Sequence, residues 1–314
     1  MAKPDVLQLG PYPDWDQGPL EAAFTMHRLD LAADRTIFLR KIGPGIRGIA
    51  ARGTHVVDRT LIEACPALEI VAVYGVGYDG VDLEACRDHR VRVTNTPDVL
   101  TADVADLGVA MMLGLSRRIC AAEAWVRSGD WAATGGFALT RRASGARAGI
   151  LGLGRIGFQV GRRLAGFDMD IAYCDVAPRD GVDWRYMADP VALARHADFL
   201  FVTLAATQAT RHIVGPDVLT ALGPEGVLIN ISRASNVDEA ALLDALETQS
   251  IGGAALDVFD GEPRIDPRFL GLDNVLLQPH HASGTVETRK AMGQLMRDNL
   301  AAHFAGKPLP TPVI

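Results

Sequence analysis

Gly149-Ile150-Leu151-Gly152-Leu153-Gly154-Arg155-Ile156-Gly157 reads as a buried strand, a G-x-G-x-x-G turn and the opening of a helix. The three glycines have separate tasks. Gly152 permits the tight turn, Gly154 lets backbone N–H groups approach a diphosphate, and Gly157 lets the helix pack close on the sheet. A diphosphate there would rest on the helix N-terminus, beside Arg155 and Ile156, where unpaired N–H groups and the helix dipole favour negative charge. The turn falls near the middle of the chain, so another structure is built before it.

The chain has 314 residues, which suits two domains of ordinary size, and 48% of them are apolar, enough for two cores. A formal charge of −7 and the lack of a Lys/Arg run argue against a nucleic-acid surface. Cys65, Cys86, Cys120 and Cys174 are scattered and form no C-x-x-C, so they are expected to be reduced, mostly buried thiols with no metal site. Met1-Ala2-Lys3-Pro4-Asp5 lacks the apolar stretch of a secretion signal, and no apolar run approaches the ~18 residues of a membrane span. These features predict a cytoplasmic protein with no nucleic-acid or membrane partner.

Upstream of the turn, Asp5–Leu9, Gly48–Ala51, Glu69–Tyr74 and Arg90–Thr94 look like strands. Val57–Ala64 and Val81–Asp88 look like helices between them, with Asp58 and Asp82 near their starts. Alternation of this kind implies a parallel sheet. A long helix over about Thr101–Arg118 is apolar almost all round, which predicts burial on several faces, between domains or subunits. The segment with Trp125, Trp131 and Phe137 reads as an irregular protruding arm. A second α/β domain then has strands at Ala148–Gly152, Met169–Cys174, Phe199–Thr203, Val227–Ile231, Gly253–Asp257 and Val275–Gln278, followed by a helix over Val286–Phe304. That helix has no strand to fill in the second domain and is expected to return to the first. The predicted architecture is α/β: two Rossmann-like/flavodoxin-like parallel-sheet domains with a cleft between them. The substrate domain spans 1–99 plus 285–314. The NAD-binding domain spans 100–284 and includes a dimerisation helix and arm at about 101–145.

Asp175 ends the strand after the turn, where a carboxylate can accept from the adenine-ribose hydroxyls of NAD and would repel a 2′-phosphate. Arg179 is close by in sequence and offers the opposite choice, so NADP stays possible. Further polar groups stand at the ends of later strands, the edge where open α/β sheets bind ligands. They are Arg233 in Ile229-Asn230-Ile231-Ser232-Arg233-Ala234, Glu262 in Asp257-Val258-Phe259-Asp260-Gly261-Glu262-Pro263, and His280 in Gln278-Pro279-His280-His281-Ala282-Ser283.

With these segments the chain resembles the D-isomer-specific 2-hydroxyacid dehydrogenase family, and within it the glyoxylate/hydroxypyruvate and hydroxyphenylpyruvate reductase branch. The resemblance covers nearly the whole chain, including Gly75-Val76-Gly77-Tyr78-Asp79-Gly80-Val81-Asp82, the glycine turn, and the Arg, Glu and His segments in family order. It implies hydride transfer between a nicotinamide cofactor and a small 2-oxo acid. Arg233 would hold the carboxylate and carbonyl of the substrate with its planar fork. His280 would be the general acid, titrating near neutral pH, and Glu262 would fix its tautomer and stabilise its cation. His281 is a second candidate acid, but the family places the acid directly after the proline. The N–H groups of Gly75, Val76 and Gly77 would grip the substrate carboxylate. Asp257 resembles the residue that receives the nicotinamide carboxamide, and Ile231 lies on the cofactor side. A homodimer is expected, and an arm aromatic such as Trp131 can reach a partner's site in the reductase branch.

The chain departs from the family pattern in four places. Ala234 replaces the glycine usual after the arginine, which would cost roughly 1 kcal/mol if a positive φ is needed there. Tyr173-Cys174-Asp175-Val176 has an acid and lacks the arginine that suits NADPH, which favours NAD. Leu204-Ala205-Ala206-Thr207 lacks a usual proline, and His281 fills a site usually apolar. Formate oxidation shares the fold, but its family has glutamine where Glu262 stands. The alternative from another class is a non-catalytic NAD-sensing, corepressor-like protein.

Overall fold

A computed structural model describes residues 2–314, which leaves Met1 of the first expected domain outside the described residues. The chain divides into two compact units. One runs to Leu100 and resumes over Gly284–Ile314, and the other is Thr101–Ser283.

In the first unit the chain runs β1 (Asp5–Gln8), α1 (Asp14–Ala23), β2 (Thr25–Arg28), α2 (Arg35–Ile42), β3 (Gly48–Arg52), α3 (Arg59–Glu63), β4 (Ile70–Tyr74), α4 (Leu83–Asp88) and β5 (Arg92–Thr94). The five strands are parallel in the order β2-β1-β3-β4-β5. β3 and β4 are near-continuous apolar runs because both their faces are covered. Asp58 and Asp82 each accept a backbone N–H three residues on, from Leu61 and Ala85, and so start α3 and α4. β2 is an addition to the expected elements: Thr25-Met26-His27-Arg28 is an edge strand with no apolar alternation to betray it. The expected return of the C-terminal helix is seen. Val286–Phe304 packs on β4 and α1, and the tail beyond it pairs with β5, with Val313 N–H donating to Val93 O at 2.7 Å.

The second unit opens with α5 (Thr101–Ser116), α6 (Ile119–Ser128) and α7 (Asp130–Thr134). It continues with β6 (Arg147–Leu151), α8 (Arg155–Ala165), β7 (Asp170–Cys174), β8 (Arg185–Tyr186), α9 (Pro190–His196), β9 (Phe199–Val202) and α10 (Pro216–Leu222). β10 (Val227–Asn230), α11 (Glu239–Glu247), β11 (Gly253–Leu256) and β12 (Val275–Leu277) complete it. Its seven strands are parallel in the order β12-β11-β10-β9-β6-β7-β8, one more than expected because short β8 is paired to β7. The strand order reverses at β6/β9, the switch point outside which ligands bind in open α/β sheets. The apolar character of α5 has a cause inside this unit: the helix packs on α8 and on β10, β11 and β12. The approach is close enough that a Cβ on Gly108 would lie 2.8 Å from Ile231.

The arm is a correction. It was expected to be irregular, but α6 and α7 are helices, and only the stretch after Gly135 lacks regular structure. Ala-rich sequence, a Glu123–Arg127 pair at i,i+4 and a left-handed Gly129 (φ 87°) between the helices account for it. Every residue of both helices is at least partly exposed.

Candidate active site

The glycine turn at the end of β6 is shaped by what surrounds each glycine. Gly152 has φ +97°, and a Cβ there would lie 2.9 Å from Leu204 N. A Cβ on Gly157 would collide with the Gly152 carbonyl, whereas one on Gly154 would meet nothing within 4 Å. The space over Gly154 is therefore open while the flanking glycines are packed. Gly154 is the N-cap of α8 and provides no side-chain cap, and a helix N-terminus of this kind suits an anion. Thr203, just beyond β9, braces the turn by donating to Gly152 O at 2.6 Å. Arg155 is exposed and Ile156 half-buried at the start of α8. This cradle fits a dinucleotide diphosphate. Asp175 follows β7 directly, and its two oxygens accept from Leu153 N and Val176 N, each at 2.7 Å.

The residues expected to transfer the proton lie along the same sheet edge. His280 Nδ1 is 2.7 Å from Glu262 Oε2, and Glu262 Oε1 accepts from Phe259 N at 2.9 Å. Burial raises the Glu262 carboxyl, but hydrogen bonds from His280 and Phe259 and the charges of His280 and Arg233 outweigh it, leaving the carboxyl below its ordinary value. His280 itself sits in the left-handed region, φ 51°, costly for a non-glycine residue. Asp257, after β11 and 1% exposed, holds the next two backbone N–H groups: His281 N at 2.6 Å and Ala282 N at 3.0 Å. Burial raises the Asp257 carboxyl, opposed by those two N–H groups. Of the two adjacent histidines, His280 carries the carboxylate partner, while the bond recorded for His281 is through its backbone.

Arg233 follows β10 and donates from Nη1 to Ser232 O at 2.8 Å. Its charge is close enough to help lower the Glu262 carboxyl, which places the three expected catalytic residues together. Ala234 opens a 3-10 turn, Ala234–Asn236, and is not among the left-handed residues, so alanine carries no φ penalty there. Ile231 is buried against α5. Beneath Arg233 lies a polar network that the sequence reading missed. Asn230 accepts from Ser232 N (3.0 Å) and Oγ (2.8 Å) and donates to Arg233 O (3.1 Å), and Asn236 donates to Ser232 Oγ (3.1 Å). Two asparagines and a serine clustered at a strand end were the available signal.

In the first unit, the loop after β4 turns its carbonyls inward. Gly75 O accepts from Thr96 N and Val76 O from the Asn95 amide, each at 2.8 Å. In a planar trans peptide the next N–H points the opposite way, so the Val76 and Gly77 N–H groups face away from these partners.

A glycine-turn nucleotide cradle with a carboxylate–histidine pair and an arginine on one sheet edge defines a nicotinamide-dependent dehydrogenase. Residues 109–282 match the model of the "D-isomer specific 2-hydroxyacid dehydrogenase, NAD binding domain". The chain is 45% identical over 309 residues to hydroxyphenylpyruvate reductase of Plectranthus scutellarioides, covering 98% of each. A 2-hydroxyacid dehydrogenase structure from Ketogulonicigenium vulgare Y25 shares 68% identity at TM-score 0.94, covering 100% of this chain and 99% of that one. An NADPH-dependent glyoxylate/hydroxypyruvate reductase from Sinorhizobium meliloti, solved with NADP and malonate, shares 42% at TM-score 0.94, with 99% and 97% covered. The chain belongs to the D-isomer-specific 2-hydroxyacid dehydrogenase family, in its glyoxylate/hydroxypyruvate reductase branch, and its cofactor is NAD(P).

Proposed function

We propose that the protein reduces a small 2-oxo acid, with glyoxylate and hydroxypyruvate foremost, to the D-2-hydroxy acid. The observation that carries this reading is the 2.7 Å His280–Glu262 pair on the sheet edge that also bears Arg233 and the glycine turn. The bound nicotinamide supplies the hydride. Arg233 orients the carboxylate and polarises the ketone, and His280, engaged at Nδ1 by Glu262, delivers a proton from Nε2 to the forming alkoxide. The N–H groups of Gly75, Val76 and Gly77 receive the carboxylate, so residues 1–99 with 285–314 act as the substrate domain and 100–284 as the NAD-binding domain. Asp257, which holds the backbone after His280, would receive the carboxamide of a bound nicotinamide.

Asp175 favours NAD over NADP, because a 2′-phosphate beside it would be repelled. The S. meliloti reductase is described as NADPH-dependent, so the cofactor panel must include both forms. A homodimer is supported by apolar side chains left exposed on the arm: Ile119, Val126, Trp131 and Leu139. The free thiols, three of them buried, suit the reducing cytoplasm, and no helix among the described residues is long and apolar enough to cross a membrane. The curated relatives carry reductase names and lend nothing to a non-catalytic sensing role. The direct test assays a panel of 2-oxo acids with NADH and NADPH side by side, using Arg233→Ala and His280→Ala as controls. Both variants should lose most turnover and still bind NADH, and retained turnover in both would sink the catalytic assignment.

A further inference from the structure

Asp175 and Arg179 hold the glycine turn from opposite ends of one residue. Leu153 N donates to Asp175 Oδ2 at 2.7 Å, and Leu153 O accepts from Arg179 Nη1, also at 2.7 Å. The same Nη1 lies 3.2 Å from Gly154 O. The guanidinium carbon stands 4.5 Å from the centre of the Phe158 ring in the first turn of α8. Arg179 is itself anchored, because its backbone N donates at 2.8 Å to the hydroxyl of Tyr173, a buried residue of β7. Farther along the same loop, Trp184 packs in the space that a Cβ on Gly161 would need and contacts Phe158 at 5.6 Å between ring centres. The segment after β7 is thus fastened over α8 at several points.

We propose that Arg179 is a positioning residue for the cofactor diphosphate rather than a reader of a 2′-phosphate. The reason is peptide geometry. In a planar trans peptide, fixing a carbonyl fixes the N–H of the next residue in the opposite direction. By holding the Leu153 carbonyl, Arg179 aims the Gly154 N–H to the other side of the turn, where the N-terminus of α8 receives an anion, while the Gly154 carbonyl that it also approaches is set by α8 through Phe158 N at 3.0 Å. A hydrogen bond from a charged donor is stronger than a neutral one, and here it stiffens a glycine-rich segment that would otherwise sample many conformations. The 2′-substituent of the cofactor plays no part in this task, so Arg179 serves NADH and NADPH alike.

This inference rests on the dinucleotide reading of the turn, and the experiment separates the two. Wild type, Arg179→Met and Arg179→Lys are titrated with NADH and with NADPH by fluorescence. Amide hydrogen exchange is followed at Leu153, Gly154 and Arg155 in the cofactor-free protein. The expected result for Arg179→Met is a rise in both dissociation constants by a similar factor, on the order of tenfold, with faster exchange at Leu153, whose N–H is bonded to Asp175. Arg179→Lys, which keeps the charge but not the planar fork, should fall between it and wild type. Loss of NADPH binding alone would make Arg179 a phosphate reader and overturn the proposal. Unchanged exchange in Arg179→Met would overturn it too. If wild type bound neither nucleotide, the dinucleotide reading would fail, and the exchange data would still decide whether Arg179 fixes the turn.

Discussion

His280 Nδ1 and Glu262 Oε2 stand 2.7 Å apart, and the second oxygen of the same carboxylate is held by Phe259 N–H at 2.9 Å. Glu262 is therefore fixed before it fixes the imidazole, and its carboxyl lies below the ordinary value although burial acts to raise it. The carboxylate is charged at neutral pH and engages His280 at Nδ1.

Replacing Glu262 with glutamine keeps the shape and removes the charge. Hydrogen bonds to charged groups contribute ~1.5–3 kcal/mol, equivalent to roughly ten- to a hundredfold in rate. Glu262→Gln should lower turnover by about that factor. The lost carboxylate no longer holds the imidazole by a charged hydrogen bond at Nδ1. Steady-state rates of reduction and oxidation check this, and turnover unchanged from wild type would remove Glu262 from the proton-transfer role.

Asp175 supports the turn through Leu153 N and is also proposed to repel a 2′-phosphate. These two roles act with opposite signs on NADPH. Asp175→Ala should weaken NADH on the order of tenfold, while NADPH gains from the lost repulsion or loses much less. Equilibrium titrations with both nucleotides give the ratio, and a ratio unchanged from wild type would refute the selectivity reading.

Much of this arrangement was legible in the residues. The buried strands of the second unit announce themselves as short apolar runs, such as Val227–Asn230, and the helix over Val286–Phe304 has the expected bounds. What escaped were elements whose patterns are weak for physical reasons. β2 is a half-exposed edge strand, β8 has only two residues, and α6 and α7 bury no apolar face to create a helical stripe. In the site, Arg233, Glu262 and His280 are candidates that the sequence offers, but the Asn230–Ser232–Asn236 network is not. Nor was the hold of Asp175 on Leu153, because hydrogen bonds between residues 22 positions apart depend on how two loops meet.

Asp198 joins two arginines at the base of the second sheet. It accepts from Arg147 N (2.9 Å), Nη2 (3.0 Å) and Nε (3.1 Å), and Arg141 Nη2 lies 3.1 Å away. The hydrogen bonds from the Arg147 side chain outweigh burial and lower the Asp198 carboxyl. A lowered carboxyl adds stability that is present above its unfolded pKa of about 3.9 and is lost as pH falls through the folded value. Asp198→Asn should therefore cost ~1–3 kcal/mol at pH 7, with a difference from wild type that holds to about pH 5 and shrinks below about pH 4. Urea unfolding across that range checks the sign, and a cost that grows toward acid would contradict it.

Asp16 on α1 is 0% exposed and is paired with Arg297 of the helix Val286–Phe304, which ties the start of the first unit to its returning end. Gly293 leaves room for the carboxylate, since a Cβ there would strike it. One carboxylate oxygen, Oδ2, has no hydrogen-bond partner among the described residues. Burial raises the Asp16 carboxyl by more than Arg297 lowers it. A carboxyl raised on folding favours the folded state most below its unfolded pKa, and that advantage is lost as pH rises through the folded value. The buried charge is thus a cost at neutral pH that Arg297 offsets. Arg297→Leu leaves it uncompensated and should destabilise by ~3–5 kcal/mol at pH 7, whereas Asp16→Asn, which removes the charge itself, should cost far less. Acid should narrow the gap between Arg297→Leu and wild type as Asp16 protonates. Denaturant unfolding of both single variants and the double variant tests this. An Asp16→Asn loss as large as that of Arg297→Leu would show that the pair stabilises the unit by attraction instead.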